Sequence, residues 1–264
     1  MKIVVHALVK NEENFVWYAL NSIVNYVDEI KVGLDSGASD TTEEIIKKIN
    51  SPKLEIKKYD IHGPDDVTIV RQKMLDETNA DWIFILDGDE IWNNEAIVDC
   101  MSKINNSNYE AVAIPNYMLI GDIFHYQEEI AGKYKIGSKV GHFNIRAIRK
   151  TPGLHLEGIY PNEAYVTKDG IMVQNLPKDK ILFLDKPYLH ASFLQRTSKE
   201  NGKIKYEIGE EFPKDFYYPE VFFRNRPEIV PFAFNTMDSN FKLNAFWQTP
   251  LKKFKRRITG VEVI

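Results

Sequence analysis

Trp82-Ile83-Phe84-Ile85-Leu86-Asp87-Gly88-Asp89-Glu90 decides how the rest of the chain is read. Its unbroken apolar run looks like a strand covered on both faces, the mark of a central strand in a parallel sheet. Three carboxylates follow at once. Two of them flank a glycine, so both can point into one cleft and offer oxygen ligands to a hard divalent cation. Such cations usually share their ligands with substrate phosphates. Asp-Gly is also a common turn dipeptide. The placement directly after the most apolar strand is what favours a site over a plain turn. An EF-hand loop is excluded, because its later ligand positions are missing.

Upstream, residues 3–9 form a short apolar run bounded by polar residues and read as a buried strand. Asn11 is expected to cap the next helix, with Glu12 and Glu13 in its first turn, where the dipole favours them. Phe15, Ala19, Ile23 and Tyr26 follow at helical spacing. A second strand over 30–34 runs into Asp35-Ser36-Gly37-Ala38-Ser39-Asp40. Thr41 and Glu44 have capping-box spacing ahead of another helix. Residues 54–59 alternate as a half-exposed strand would. Val67, Val70 and Met74 mark one side of a further helix. This alternation predicts an α/β, Rossmann-like fold with a mixed, mostly parallel central sheet. Sheets of that kind bind ligands beyond the carboxyl ends of their strands. The polar clusters at 10–12, 35–36 and 87–90 fall at those ends.

Downstream the alternation fades. Strands are expected over 109–114, 142–148 and 181–184, and a helix over 194–208. A Pro/Gly-punctuated stretch contains Glu157-Gly158-Ile159-Tyr160-Pro161-Asn162-Glu163. Residues 212–247 are rich in Phe, Tyr and Pro with weak periodicity. The basic cluster Lys252-Lys253-Phe254-Lys255-Arg256-Arg257 comes next, with no long amphipathic helix expected beside it. The aromatic set Phe216, Tyr217, Tyr218, Phe222, Phe223, Phe232, Phe234, Phe246 and Trp247 is expected to be core packed back onto the main domain. An acceptor cleft, or a membrane contact shared with the basic cluster, are the alternatives.

Composition narrows the function classes. The 264 residues are 44% apolar, ordinary for a globular protein, and the net charge of −4 disfavours a nucleic-acid partner. The one cysteine, Cys100, falls in a predicted helix, so neither an internal disulfide nor a cysteine-rich zinc site can form. The N-terminal apolar run is too short for a signal peptide, and no stretch approaches the ~20 apolar residues that span a bilayer. These features predict a cytoplasmic location.

Three motifs in order, Val9-Lys10-Asn11-Glu12-Glu13, Asp35-Ser36-Gly37-Ala38-Ser39-Asp40-Thr41 and Leu86-Asp87-Gly88-Asp89-Glu90, resemble those of family-two glycosyltransferases of the GT-A fold. The match covers roughly residues 1–115. The resemblance implies a first strand end, Val9, Lys10, Asn11 and Glu12, that lines the nucleotide. Asp35 would accept a hydrogen bond from the base, which suits the N–H of uracil; a turn aspartate is the alternative. Arg71 matches a position that commonly touches the nucleotide, although a solvated helix arginine reads the same way. Asp87 would hold ribose or metal, with Gly88 beside it, and Asp89 would bind the metal bridging the diphosphate. His190 matches a histidine that completes the metal site in many such enzymes, and Mn²⁺ or Mg²⁺ is the implied ion. A lone histidine beside apolar residues is otherwise a core histidine.

The stretch from Arg146 to Glu163 resembles a family segment that often ends in His-Glu, with Asn162 here in the histidine's place. Glu163 would be the catalytic base, since inverting transfer needs one group to take the acceptor hydroxyl's proton. Glu157 is its rival. The implied activity is metal-dependent, inverting transfer from a nucleotide-sugar, UDP-sugar favoured, to a glycan, lipid or protein acceptor. The implied organisation is a GT-A domain over 1–210, with a nucleotide-binding half at 1–115 and an acceptor and catalytic half at 116–210, then an extension over 211–264. Peripheral contact of the basic C-terminus with the inner face of a membrane is a further expectation. A sugar-1-phosphate nucleotidylyltransferase needs a Gly-rich loop after the first strand, which 9–13 lacks, and a dehydrogenase needs GxGxxG. A non-catalytic nucleotide- or sugar-binding module of the same fold stays open, with the intact acidic cluster against it.

Overall fold

The computed structural model describes residues 1–105, 108–199, 204–260 and 263. The N-terminal half alternates strand and helix: β1 (Ile3–Val9), α1 (Val16–Ile23), β2 (Glu29–Asp35), α2 (Thr42–Lys47), β3 (Leu54–Tyr59), α3 (Pro64–Asp76) and β4 (Trp82–Ile85). Next come β5 (Glu90–Ile91), α4 (Asn94–Asn105), β6 (Ala111–Ile120) and β7 (Asp122–Tyr126). The remaining strands are β8 (Tyr134–Ile136), β9 (Lys139–Gly141), β10 (Phe143–Arg149), β11 (His155–Glu157), β12 (Ala164–Val166), β13 (Ile181–Phe183), β14 (Tyr188–Phe193) and β15 (Glu210–Glu211). A last helix, α5, spans Ser239–Thr259.

One 11-stranded sheet organises the molecule, in the order β15-β7-β6-β10-β4-β1-β2-β3, with β13 and β14 beside β6 and β5 beside β14. Strands β5, β7 and β10 run against the others, so the sheet is mixed and mostly unidirectional. β4 lies between β1 and β10, and Trp82, Ile83 and Phe84 are wholly buried. Burial of each such side chain contributes about 1.5–3 kcal/mol, which makes the strand's end a rigid platform. Trp92, just past β5, stacks on Tyr188 of β14 at 4.8 Å and meets Phe84 at 5.0 Å. Cys100 lies buried in α4, and burial pushes its thiol up to about 12.

The structure corrects four local expectations. Asn11 caps no helix: it takes a left-handed φ of 52°, which asparagine tolerates better than most residues, and its side chain accepts from Ser39 N at 2.8 Å. α1 therefore starts only at Val16. Glu13, freed from a helix, turns inward and accepts from Thr41 N, Thr41 Oγ1 and Ser198 N. Burial raises its pKa, but those donors outweigh burial and hold it at about 2. Thr41 stands at the start of α2 but spends its hydroxyl on Glu13, so no capping box forms; Asp40 Oδ1 accepts from Thr42 N instead. The helix expected over 194–208 is absent from the described residues of that stretch.

The fourth correction is α5, a 21-residue helix that carries the whole basic cluster. Asp238 caps it, accepting from Phe241 N at 2.6 Å. The aromatic set splits. Phe222 lies in the main core, with Phe216, Tyr218 and Phe234 against it, whereas Tyr217, Phe223, Phe232, Phe246 and Trp247 are exposed. Among the described residues no helix is long and apolar enough to cross a membrane.

Candidate functional site

The carboxylate turn sits where β4 ends, and glycine is required there by contact. A Cβ on Gly88 would lie 2.8 Å from Glu12 Cγ and 3.2 Å from Val9 Cγ1. The turn after β4 thus lies against the end of β1, which brings Asp87 and Asp89 close to Glu12. Glu12 is held on two sides: its N–H donates to Thr42 Oγ1 at 2.7 Å, and Oε1 accepts from Arg196 Nη1 at 2.7 Å. Burial and then the charge of Asp89 raise the Glu12 pKa well above normal despite Arg196.

His190 arrives from the far half of the chain. In the antiparallel β14–β5 pair it stands opposite Glu90, and Ala191 N donates to Asp89 O at 2.8 Å. His190 Nε2 is 3.3 Å from Asp89 Oδ1, and Nδ1 is 3.8 Å from Glu90 Oε1. Burial lowers the imidazole pKa, but the Asp89 carboxylate outweighs it and the net shift is upward.

Arginines balance the acids. Arg146 of β10 donates to Asp87 Oδ2 at 2.8 Å and to Glu90 Oε1, which Tyr188 also reaches at 2.8 Å. Burial pushes Glu90 up to about 7 in spite of Arg146. Asp87 goes the other way: burial opposes its ionisation, yet Arg146 and Arg71 hold it at about 2. Arg71 of α3 lies 3.7 Å from Asp87 and, through Nε, 3.5 Å from Glu163. It therefore connects the carboxylate turn to the expected base.

Glu163 precedes β12, with its side chain only 12% exposed. Gly158, at φ 90°, allows its loop to fold back, since a Cβ there would meet Asn162 O at 2.9 Å and Glu163 Cα at 3.2 Å. Glu157 points elsewhere: it is 58% exposed and pairs with His155 at 2.9 Å. At the end of β2, Asp35 is buried, accepts from Gly37 N at 2.8 Å, and pairs with Lys10 at 3.1 Å. The turn role and the pairing with Lys10 coexist in one carboxylate.

The donor set suits a hard or borderline divalent ion. Asp87, Glu90 and His190 each offer one ligand atom within 4.8 Å of one another. Glu90 is committed to Arg146 and Tyr188, whereas Asp89 Oδ2 and His190 Nδ1 are buried without a hydrogen-bond partner, as are Glu12 Oε2 and Glu163 Oε2. Buried carboxylate oxygens left this way are costly unless something else meets them. Oxygen ligands with one imidazole fit Mg²⁺ or Mn²⁺.

Sequence reasoning missed Arg196, which stands 3.6 Å from Asp89 Oδ2, and gave no role to Glu90, Arg146 or Tyr188. Glu90 stood next to the motif and was visible there. The other three have no signal along the chain, because strand register and an irregular segment bring them in.

The sequence pattern of Glycosyl transferase family 2 matches residues 5–158, more than half of the chain. The SPbeta prophage-derived glycosyltransferase SunS of Bacillus subtilis (strain 168) is 34% identical over 88 residues, 33% of this chain and 20% of that protein. The glycosyltransferase SunS of Bacillus phage SPbeta matches to the same extent, so the chain spans about a fifth of these relatives. Among solved structures, TarS 1-349 of S. aureus superposes with a TM-score of 0.50 at 19% identity, over 73% of this chain and 61% of that one. The same TarS fragment in complex with UDP-GlcNAc gives a TM-score of 0.50 at 17% identity, over 72% and 58%. These likenesses establish a shared GT-A fold, and together with the family match they place the chain: it belongs to glycosyl transferase family 2.

Proposed function

We propose that this protein transfers a sugar from a UDP-sugar to an acceptor hydroxyl with inversion, using a divalent metal. The observation that carries the reading is His190 meeting Asp89 just past the end of β4, 3.3 Å apart, although about 100 residues separate them in sequence. Asp87, Asp89 and His190 would hold the ion, and the chemistry it supplies is neutralisation of charge on the departing diphosphate. The end of β1, Val9 to Glu12, would line the nucleotide, and Asp35 would read the base N–H. Arg71, set between Asp87 and Glu163, would add positive charge on the diphosphate side. Glu163 would take the proton of the attacking hydroxyl, and a single base working opposite the leaving group gives one-step inversion. The TarS complex with UDP-GlcNAc supports a UDP-sugar as donor. A glycan, a lipid or a protein can supply the hydroxyl.

The test is UDP release from a panel of UDP-sugars, with and without hydroxyl acceptors, in Mn²⁺, in Mg²⁺ and in chelator. Release that requires both metal and acceptor is the expected result. UDP and metal binding with no turnover for any donor would favour the non-catalytic module.

A further inference from the structure

α5 faces the wrong way for a helix that only completes a core. Its solvent side carries Leu243, Phe246, Trp247, Leu251, Phe254 and Ile258, each 62–71% exposed. Spacings of three and four place them on one face. The inner side buries Ala245, sets Phe241 against the Tyr206 ring at 5.3 Å, and is otherwise polar. Ile208 N donates to Thr249 Oγ1 at 2.8 Å, Lys252 donates to Tyr206 O at 2.7 Å, and Arg256 pairs with Glu207 and Glu128. These contacts hold the helix to the body with its apolar stripe turned outward.

Charge says what covers the stripe. From Ser239 to Thr259 the helix has six cationic residues and no acidic one. Lys242, Lys255 and Arg257 are exposed, and helical geometry puts Arg257 on one flank of the stripe and Lys255 on the other. We propose that α5 docks the protein on an anionic lipid surface. The stripe enters the boundary between headgroups and acyl chains, and the flanking cations meet lipid phosphates. Trp247 is suited to that boundary, with one end apolar and the other wet. A second copy of the chain is a poorer occupant, since pairing α5 with itself sets cation against cation with no acid to offset them. Docking at α5 does not depend on the sugar chemistry.

Trp247 supplies the readout, because Trp17, Trp82 and Trp92 are buried while Trp247 is 68% exposed. The full chain is titrated with phosphatidylcholine vesicles with and without phosphatidylglycerol, following tryptophan emission and co-sedimentation. A blue shift and co-sedimentation are expected with the anionic vesicles and should fade with added salt. Leu251→Ser/Phe254→Ser should weaken binding more than about tenfold, as should Lys255→Glu/Arg257→Glu, with unchanged circular dichroism in both. Absence of binding to anionic vesicles at low salt would overturn the proposal. So would a dimer in solution that Leu251→Ser/Phe254→Ser dissolves.

Discussion

The imidazole of His190 stands, through Nε2, 3.3 Å from Asp89 Oδ1, and the strand pair β14–β5 sets that distance. The two backbones are tied beside the pair, because Ala191 N donates to Asp89 O. If the pair holds a divalent ion, nucleotide affinity depends on both residues. Asp89→Asn and His190→Ala should each weaken UDP binding by calorimetry about 10- to 100-fold, and chelator should weaken the parent as much. Equal affinity in parent, variants and chelator would remove the metal from the site.

Glu163 and Glu157 compete as acids but differ in surroundings: one nearly buried beside Arg71, the other exposed with His155. Glu163→Gln should bind donor normally and lose about 10²- to 10⁴-fold in kcat. Glu157→Gln should keep kcat and KM. The product anomer, read by NMR, should be inverted; retention would defeat a single-base displacement.

Asp35 has a donor on each oxygen, Gly37 N on one and Lys10 Nζ on the other. Lys10 is the mobile partner, 46% exposed, so a base N–H can displace it. UDP should then bind better than CDP or GDP, and Asp35→Ala should erase that preference. A preference unchanged in Asp35→Ala would leave the carboxylate as a turn residue.

What could be read along the chain follows from distance in sequence. The strand at 82–86 and its acids were legible because one local pattern, apolar run then carboxylates, specifies both burial and exit. Asn11 misled because the same side chain serves helix caps and left-handed turns, and only the tertiary demand that Glu13 face Ser198 decides between them. Arg146, Tyr188 and Arg196 were invisible as site residues, since strand register joins the first two to Asp87 and Glu90, and the irregular segment after β14 brings Arg196 to Glu12. α5 was hidden for two reasons. Pro250 sits inside it, where proline removes a helical hydrogen bond, and its apolar face points to solvent instead of core.

His6 yields a prediction about stability rather than catalysis. It lies buried in β1, and its Nε2 donates to Thr78 Oγ1 at 2.8 Å, because that hydroxyl donates onward to Met74 O. Nδ1 has no hydrogen-bond partner, so a second proton would be buried unpaired. Burial, with the positive charges of Lys31, Arg71 and Lys150, lowers the His6 pKa to about 3 from 6.5. Below pH 6.5 the unfolded chain takes up a proton at this position that the folded chain refuses. The stability from neutral His6 is therefore present above that pH and lost as pH falls toward 3, at about 1.4 kcal/mol per pH unit. Glu90 and Glu12 have raised pKa values and act with the opposite sign over part of the same range, so the parent's own profile mixes the two. The difference between parent and His6→Gln isolates the histidine, because glutamine supplies a donor that does not titrate. Urea unfolding at pH 7, 6 and 5 should show the variant gaining on the parent by about 1 kcal/mol per unit of acidification. A constant gap across the three pH values would mean that His6 takes up its proton as readily in the folded protein as in the unfolded chain.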